Sequence, residues 1–368
     1  MHIIHCLTHS DYGGAQAVVL LLAESLTQFH PSVRQTAILP QGGIYVERFK
    51  RSGCEVVELP LHSISLATIV RTFRLLRQLN PDVIHSHGKG AGFYCRIIPG
   101  FFLQARRFHS YHGFHPPIPK MYRILYNWLE RYLLRHTDMI ISVSASEAHE
   151  VAETFPRHQG RVKTVVNIVD KREVVESSRG TLSSQIENVL LNTTNSFVVT
   201  TIGRDDYIKN FQLAYTSSAL VLKEKKNVVF LFVGSGFNDP GLRSLQQAFP
   251  YNVFALPMIP TVTSVLRRSD VLLLTSRKEG CPLIILESFC LGKPVIGTNV
   301  PGISDLVTDG VTGLLCEESE SSLSSAIKRI MSDKGLYESM SRNAAAFADT
   351  MDRNYWAGEY HSVYSNSN

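Results

Sequence analysis

Two doubly wound α/β domains are what this 368-residue chain predicts, and three observations lead there. Short β-branched, apolar runs recur between stretches of helix length, the pattern of parallel strands buried on both faces. The alternation runs once to about residue 170 and restarts at Phe197. The length also exceeds what one hydrophobic core usually serves.

In the first half the candidate strands are 3–7, 35–39, 55–58, 83–85, 107–110, 139–143 and 162–166, with helices at 15–28, 69–79 and 119–136. Residues 1–170 therefore form the first domain. Residues 171–196 are polar and rich in Ser, Thr and Asn, which suits a connector with room for a short helix. The second domain, 197–345, opens on strand 197–202 and helix 211–223. Strands 228–233, 253–255, 271–274 and 294–297 and the 303–315 region follow. The stretch 337–364 reads as helical, with 346–368 set apart as a final helix.

Chemistry concentrates in the run from Ser276 to Glu287, which carries two carboxylates eight positions apart. Glu279 falls on a strand-to-helix loop and Glu287 inside the helix that follows. Pro282 suits a helix start, where its missing N–H would be unpaired anyway. Free N–H groups at such a start attract phosphate, and a carboxylate two turns on can accept from the vicinal diol of a ribose. Phosphate, ribose and hexose together describe a nucleotide-sugar. The same spacing also allows a Glu279 that caps the helix and a Glu287 that faces solvent.

Arg204 and Lys209 follow strand 197–202 at its carboxyl end, where two fixed cations can neutralise a departing diphosphate. Gly13-Gly14 lies between the first strand and first helix, and it serves equally a tight turn or a close backbone approach to phosphate. The first domain also holds His85, His87, His109, His112 and His115. No carboxylate or cysteine joins them at ligand spacing, and no Asp-x-Asp pair occurs, so neither metal nor cofactor is expected. Gly88-Lys89-Gly90 and Gly234-Ser235-Gly236 are fragments of a dinucleotide fingerprint, too incomplete for a dehydrogenase.

These motifs have a family likeness. Glu279 and Glu287, with Gly280 and Pro282 between them, resemble the Glu-x7-Glu motif of the retaining GT-B glycosyltransferases of family 4, the glycosyl transferases group 1. The runs Gly292–Thr298, Pro301-Gly302-Ile303 and Asp309–Leu315, the Gly203-Arg204 and Lys209-Asn210 pairs, and Gly13–Gln16 are similar in order and spacing. The likeness spans about residues 1–345. It implies two Rossmann-like domains with a cleft between them, and a last helix that crosses back to the first domain. It implies that Glu279 contacts the donor sugar and Glu287 the ribose, and that Arg204 and Lys209 hold the diphosphate. Gly14 and the N–H groups of Gly280, Cys281, Pro282 (through its neighbours) and Leu283 flank the nucleotide-sugar. His112-Gly113 resembles the family's active-site His-Gly. Asp205-Asp206 and Asn167-Ile168 depart from the family pattern, which has an apolar residue and an Asn-Gly there.

Charge is unevenly divided. Residues 1–170 hold eighteen Lys and Arg against twelve Asp and Glu, and the rest nineteen against twenty. Within 71–135 eleven bases meet only Asp82 and Glu130. Such a patch suits lipid phosphate, and without a base-stacking or recognition-helix motif nucleic acid is not expected. The segment 119–136 mixes Met121, Tyr122, Leu125, Tyr126 and Trp128 with Lys120, Arg123, Arg131 and Arg135. It fits an anionic membrane interface as well as it fits an ordinary packed helix. Six scattered cysteines, no membrane-spanning run and an N-terminus that reads as a strand point to a cytoplasmic protein, peripheral at most on the inner membrane face.

The expected function is a retaining transferase of hexose or N-acetylhexosamine. Its donor is a nucleotide-sugar, with UDP the expected carrier, and its acceptor is lipid-linked or a saccharide in polysaccharide assembly. The alternatives are a nucleotide-sugar epimerase of the same fold and a non-catalytic sugar-binding protein.

Overall fold

The computed structural model of the chain describes residues 1–114, 120–191, 195–235, 239–259 and 262–366. His115, Pro119 and Gly236 lie outside the described residues. The chain divides into two compact units, Met1–Ile168 with Asp352–Asn368, and Val169–Met351.

The first unit carries strands β1 (His2–Leu7), β2 (Arg34–Leu39), β3 (Glu55–Glu58), β4 (Val83–His87), β5 (Arg106–Ser110), β6 (Met139–Ser142) and β7 (Val162–Thr164). They form one parallel sheet in the order β3-β2-β1-β4-β5-β6-β7. β4 and β5 extend further than their apolar runs because His85, Ser86, His87 and His109 are buried polar residues that still pair in the ladder. The second unit carries β8 (Phe197–Arg204), β9 (Val228–Ser235), β10 (Val253–Leu256), β11 (Val271–Leu274), β12 (Val295–Thr298) and β13 (Gly313–Cys316). Their order is β10-β9-β8-β11-β12-β13, again parallel.

Both orders reverse direction once, between β1 and β4 and between β8 and β11. Helices leaving the two central strands there go to opposite faces, which opens a crevice beyond the carboxyl ends. Period-2 alternation sets the cores. In the first sheet Ile4, Cys6, Ile38 and Ile84 pack with Leu76 and Tyr94, while Leu7, Ala37 and Leu39 pack with Val19, Leu20 and Phe49. In the second, Val199, Phe230, Phe232, Leu273 and Ile296 form the centre.

Three features differ from the sequence reading. The segment expected as a connector with room for a short helix carries two helices, Lys171–Ser177 and Ser184–Leu191, and both group with the second unit. Asp170 caps the first of them by accepting from the N–H groups of Arg172 and Glu173, and Lys171 pairs with Asp349. The stretch 337–364 is two helices, Lys334–Asp349 and Arg353–Ser365. Asp352 breaks it by accepting from the N–H groups of Asn354 and Tyr355, and from there the chain belongs to the first unit. Asn167-Ile168 lies outside any helix or strand. The described non-glycine residues with positive φ are Asn80, His112 and Asn210, so Ile168 needs no glycine geometry.

The helix Lys120–Leu134 is pinned by one buried ion pair. Arg96 places its two terminal nitrogens 3.0 and 3.1 Å from the Glu130 carboxylate, and Tyr111 donates to the same carboxylate at 3.0 Å. Removing one partner of such a pair strands a charge in the interior. Glu130→Ala is expected to destabilise the protein by about 3–5 kcal/mol, read as a fall in thermal midpoint; an unchanged midpoint would refute that anchoring.

Candidate active site

β8 and β11 are neighbours at the reversal of the second sheet, and both send loops over its carboxyl edge. After β8, Gly203 takes φ 153 and Asn210 takes the left-handed φ 51, bending the chain sharply before helix Phe211–Glu224. Asp206 organises the turn: its Oδ1 accepts from the N–H of Lys209 at 2.9 Å and its carbonyl from that of Asn210 at 3.0 Å. Thr275, just past β11, ties the two loops together by donating to the carbonyls of Lys209 and Asn210 at 3.1 and 3.0 Å. The Arg277 N–H donates to the Ile208 carbonyl at 2.8 Å.

That stitching brings Lys209 Nζ to 2.6 Å from Glu279 Oε1, which also accepts from Ser276 Oγ at 2.6 Å. The two side chains are only 22% and 11% exposed. Each charge thus satisfies the other where water is scarce. Gly302 guards the carboxylate's backbone from behind. It has φ 84, and a Cβ there would lie 2.6 Å from the Glu279 carbonyl carbon, while the Glu279 N–H donates to Pro301 at 3.0 Å. Neither Ser276, Asp206 nor Gly302 was singled out by the sequence for this role, though the Pro301-Gly302 run belongs to the family pattern.

Arg204 behaves differently from expectation. It is not a fixed cation: its side chain is 77% exposed and meets Asp206 Oδ2 at 3.5 Å. A surface pair of that kind contributes little and leaves the guanidinium free to swing. Asp205, the other departure from the family pattern, accepts from Tyr215 at 3.0 Å.

The helix after β11 is Leu283–Cys290, with Pro282 at its N-cap and no side-chain cap on its first N–H groups. Gly280, Cys281 and Pro282 are buried beneath it. Glu287, half-buried one turn on, has no hydrogen-bond partner among the described residues. Burial, then the nearby Glu173 carboxylate, pushes its pKa up to about 7. Glu173 sits on helix Lys171–Ser177, so the segment read as a connector helps to set this carboxyl group.

In the first unit, Gly13-Gly14 is exposed beyond β1, with Gly13 at the N-cap of helix Gly14–Phe29. A Cβ at Gly13 would come within 2.4 Å of the Gln16 amide oxygen. His112 follows β5 with the left-handed φ 55, a conformation that costs a non-glycine residue about 1–2 kcal/mol. Glu147, buried and overlooked in the sequence, holds that turn. Its carboxylate accepts from the N–H groups of Gly113 at 2.9 Å and Val143 at 2.8 Å. The ring of His112 meets His87, Nε2 to Nδ1, at 3.0 Å, and burial lowers its pKa to about 4, so it is neutral at physiological pH.

Three of the first unit's histidines come together. One ring nitrogen from each of His5, His85 and His87 lies within 4.8 Å of the others. Both nitrogens of His85 are already engaged, by Tyr364 at 2.6 Å and Ser110 at 3.0 Å. Two histidines with one free nitrogen apiece make a poor cation cage. None of the six cysteines forms a disulfide among the described residues, and all six are buried.

Comparison with known proteins places these features. Residues 12–173 match the family described as Glycosyltransferase Family 4, and residues 183–347 match Glycosyl transferases group 1. The chain is 27% identical over 288 residues to the UDP-Gal:alpha-D-GlcNAc-diphosphoundecaprenol alpha-1,3-galactosyltransferase of Escherichia coli, covering 76% of this chain and 73% of that protein. It is 24% identical over 349 residues to a Campylobacter jejuni N,N'-diacetylbacillosaminyl-diphospho-undecaprenol alpha-1,3-N-acetylgalactosaminyltransferase, with 89% of each covered. Among solved structures, Anabaena HepE in complex with UDP superposes with a TM-score of 0.81 at 18% identity, over 99% of this chain and 100% of that one. That likeness concerns the fold.

The raised pKa of Glu287 has a signed consequence. Its folded value, about 7, exceeds the ordinary 4.5, so its contribution to stability is complete below 4.5 and is lost as pH rises through 7. Glu287→Gln, which does not titrate, is therefore expected to gain on the wild type by a few °C in melting temperature between pH 5 and pH 8. A melting difference that stays constant over that range would overturn the assignment.

Proposed function

This chain belongs to the family 4, group 1 glycosyltransferases, and from that premise we propose that it is a retaining enzyme. It moves a hexose or N-acetylhexosamine from a UDP-sugar to a lipid-linked acceptor during polysaccharide assembly. The observation that carries the reading is the Lys209–Glu279 pair at 2.6 Å beside an uncapped helix start. An ammonium held in a shielded site by a carboxylate is preorganised for a diphosphate, and the carboxylate it shares is placed for sugar hydroxyls.

The roles in this reading combine the family likeness with the chemistry of each side chain. Lys209 and the N–H groups of Cys281 and Leu283 receive the diphosphate, and Gly14, at a helix start of the first unit, offers a further backbone N–H. Arg204, exposed and loosely paired, closes on the charge once a ligand arrives. Glu287 accepts from the ribose hydroxyls, which replaces an unpartnered half-buried carboxylate with a bonded one. Glu279 orients the sugar and neutral His112 supports its anomeric region. The bond from C1 to the phosphate oxygen breaks while the acceptor oxygen bonds C1 on the same face. The acceptor's proton passes to the departing phosphate, so no protein base is required. No metal enters this scheme, since Lys209 and Arg204 supply the positive charge.

The acceptor's lipid end suggests where the enzyme works. One face of helix Lys120–Leu134 is anchored through Glu130, and the other exposes Met121, Tyr122, Ile124, Leu125 and Trp128, the last 66% exposed. Arg123 and Arg131 are exposed on the same helix and Arg135 just past its end. Apolar and aromatic side chains ringed by arginines suit an anionic lipid surface. No helix among the described residues is long and apolar enough to cross a membrane. We place the enzyme on the inner face as a peripheral protein.

The direct test supplies UDP-glucose, UDP-galactose and their N-acetylated counterparts with an undecaprenyl-diphosphate-linked sugar. UDP release should require the acceptor, and the product should keep the donor's α configuration by NMR. Lys209→Ala should lower turnover by about 10²-fold or more without unfolding. A β-linked product would end the retaining assignment, and full turnover in Lys209→Ala would end the role given to that lysine. For the lipid surface, flotation with phosphatidylglycerol vesicles should retain the protein at about 0.1 M salt and release most of it at about 1 M. Binding indifferent to salt would sink the electrostatic part.

A further inference from the structure

Four histidines of the first unit, His5, His85, His87 and His112, belong to β1, β4 and the turn after β5, and only His112 has a place in the proposed reaction. His5 and His85 are register partners across β1 and β4, and His87, two residues on, shares their face. All three are buried. Helix Arg353–Ser365 covers this face, bringing Tyr360 and Tyr364 against His85.

The hydrogen bonds settle two of the rings. Ser110 donates its only hydroxyl proton to the Ile141 carbonyl at 2.7 Å, so toward His85 Nε2 it can only accept. His85 therefore carries its proton on Nε2, and its Nδ1 accepts from Tyr364. The Gln35 amide nitrogen donates to the Ala23 carbonyl at 2.9 Å, which turns its oxygen toward His5 Nε2 at 3.2 Å. His5 is then protonated on Nε2, and its Nδ1 is a buried lone pair without a partner.

His87 and His112 share one hydrogen bond, Nδ1 to Nε2 at 3.0 Å, and their other nitrogens are buried and unpartnered. Burial lowers the pKa of each of these rings, so all are neutral. Two neutral imidazoles joined by one bond have two proton arrangements. If His87 donated, its Nε2 would be a second bare lone pair in a buried cluster where one ring nitrogen from each of His5, His85 and His87 lies within 4.8 Å of the others. If His87 accepts, its Nε2 carries a proton into that cluster instead. The second arrangement is electrostatically favoured.

We infer that His87 is a positioning residue: it accepts the Nε2–H of His112 and so fixes that ring's tautomer and orientation for its contact with the transferred sugar. The inference rests on the reading that His112 touches the sugar. It also accounts for how a strained residue, at φ 55, keeps a defined ring orientation. The other anchor of the turn, Glu147, holds the backbone N–H groups of Gly113 and Val143.

Two-bond nitrogen–proton NMR on protein labelled with ¹⁵N-histidine reads the tautomer directly. In the unliganded wild type, His112 should have a proton-bearing Nε2 and a bare Nδ1. His87→Phe keeps the ring volume but removes the acceptor. It should scramble the His112 tautomer and lower kcat about tenfold, with the KM for UDP-sugar changed less than twofold. His87→Asn, whose amide oxygen reaches the position of Nδ1, should restore the tautomer and most of the rate. A proton on His112 Nδ1 in the wild type overturns the inference. So does a tautomer unmoved in His87→Phe, or an equal loss of rate in both variants, which would mark His87 as packing alone. Full activity in His112→Ala would overturn the sugar contact, whereas the tautomer measurement needs no substrate, so the two failures are told apart. Should His87→Phe fail to fold, His87→Asn and His87→Gln carry the comparison.

Discussion

A parallel strand cannot turn back through a hairpin, and the whole arrangement of this protein depends on that constraint. Every strand must hand the chain to a crossover, so every strand of a sheet ends on the same edge. At one point in each sheet the crossovers diverge to opposite faces. Lys209 follows β8 and Glu279 follows β11, the two strands flanking that point in the second sheet. Seventy residues separate them in the chain and 2.6 Å in space. In the first sheet the equivalent place lies between β1 and β4, and there the Gly13-Gly14 turn and His87 sit at neighbouring strand ends.

The constraint puts polar groups in dry surroundings, and the protein answers in two ways. Lys209 and Glu279 neutralise one another, with Ser276 as an extra donor. Glu287 is left without a partner and its pKa rises instead. The first arrangement keeps a cation ready without the cost of an isolated buried charge. The second keeps a carboxyl group poised near neutrality, where a ligand that hydrogen-bonds its ionised form draws the proton off. Paired and unpartnered carboxylates thus do different work from neighbouring positions on one loop and helix.

Much of this was legible in the sequence, and the misses have a common cause. The apolar runs fixed nearly every strand, because buried parallel strands leave a dense β-branched signature. Glu279, Glu287, Lys209 and Arg204 stood out because their spacing relative to a strand end has a chemical meaning. Glu147 and Gly302 did not, since each acts on a turn 34 or 23 positions away that only the fold brings near. The helices in 171–196 were obscured because a polar, Ser-rich surface looks alike on a helix and on a loop. Arg204 was read as fixed because sequence gives a residue's position but not its exposure. The break at Asp352 hides inside a good helical pattern; its signal is one capping residue, and capping is decided by local hydrogen bonds that periodicity does not register.

The histidines show the same limit from the other side. As letters, His85, His87 and His112 suggest a cation, since imidazole is the commonest metal ligand. Their hydrogen bonds argue otherwise. Ser110 and Tyr364 consume both nitrogens of His85, and His87 is turned toward His112. A neutral imidazole has one donor and one acceptor, so fixing one end of a ring fixes the other. His87 and His112 share such a bond, so the proton position on one ring sets that on the other without moving a charge. The burial that forbids protonation keeps both rings of that pair neutral.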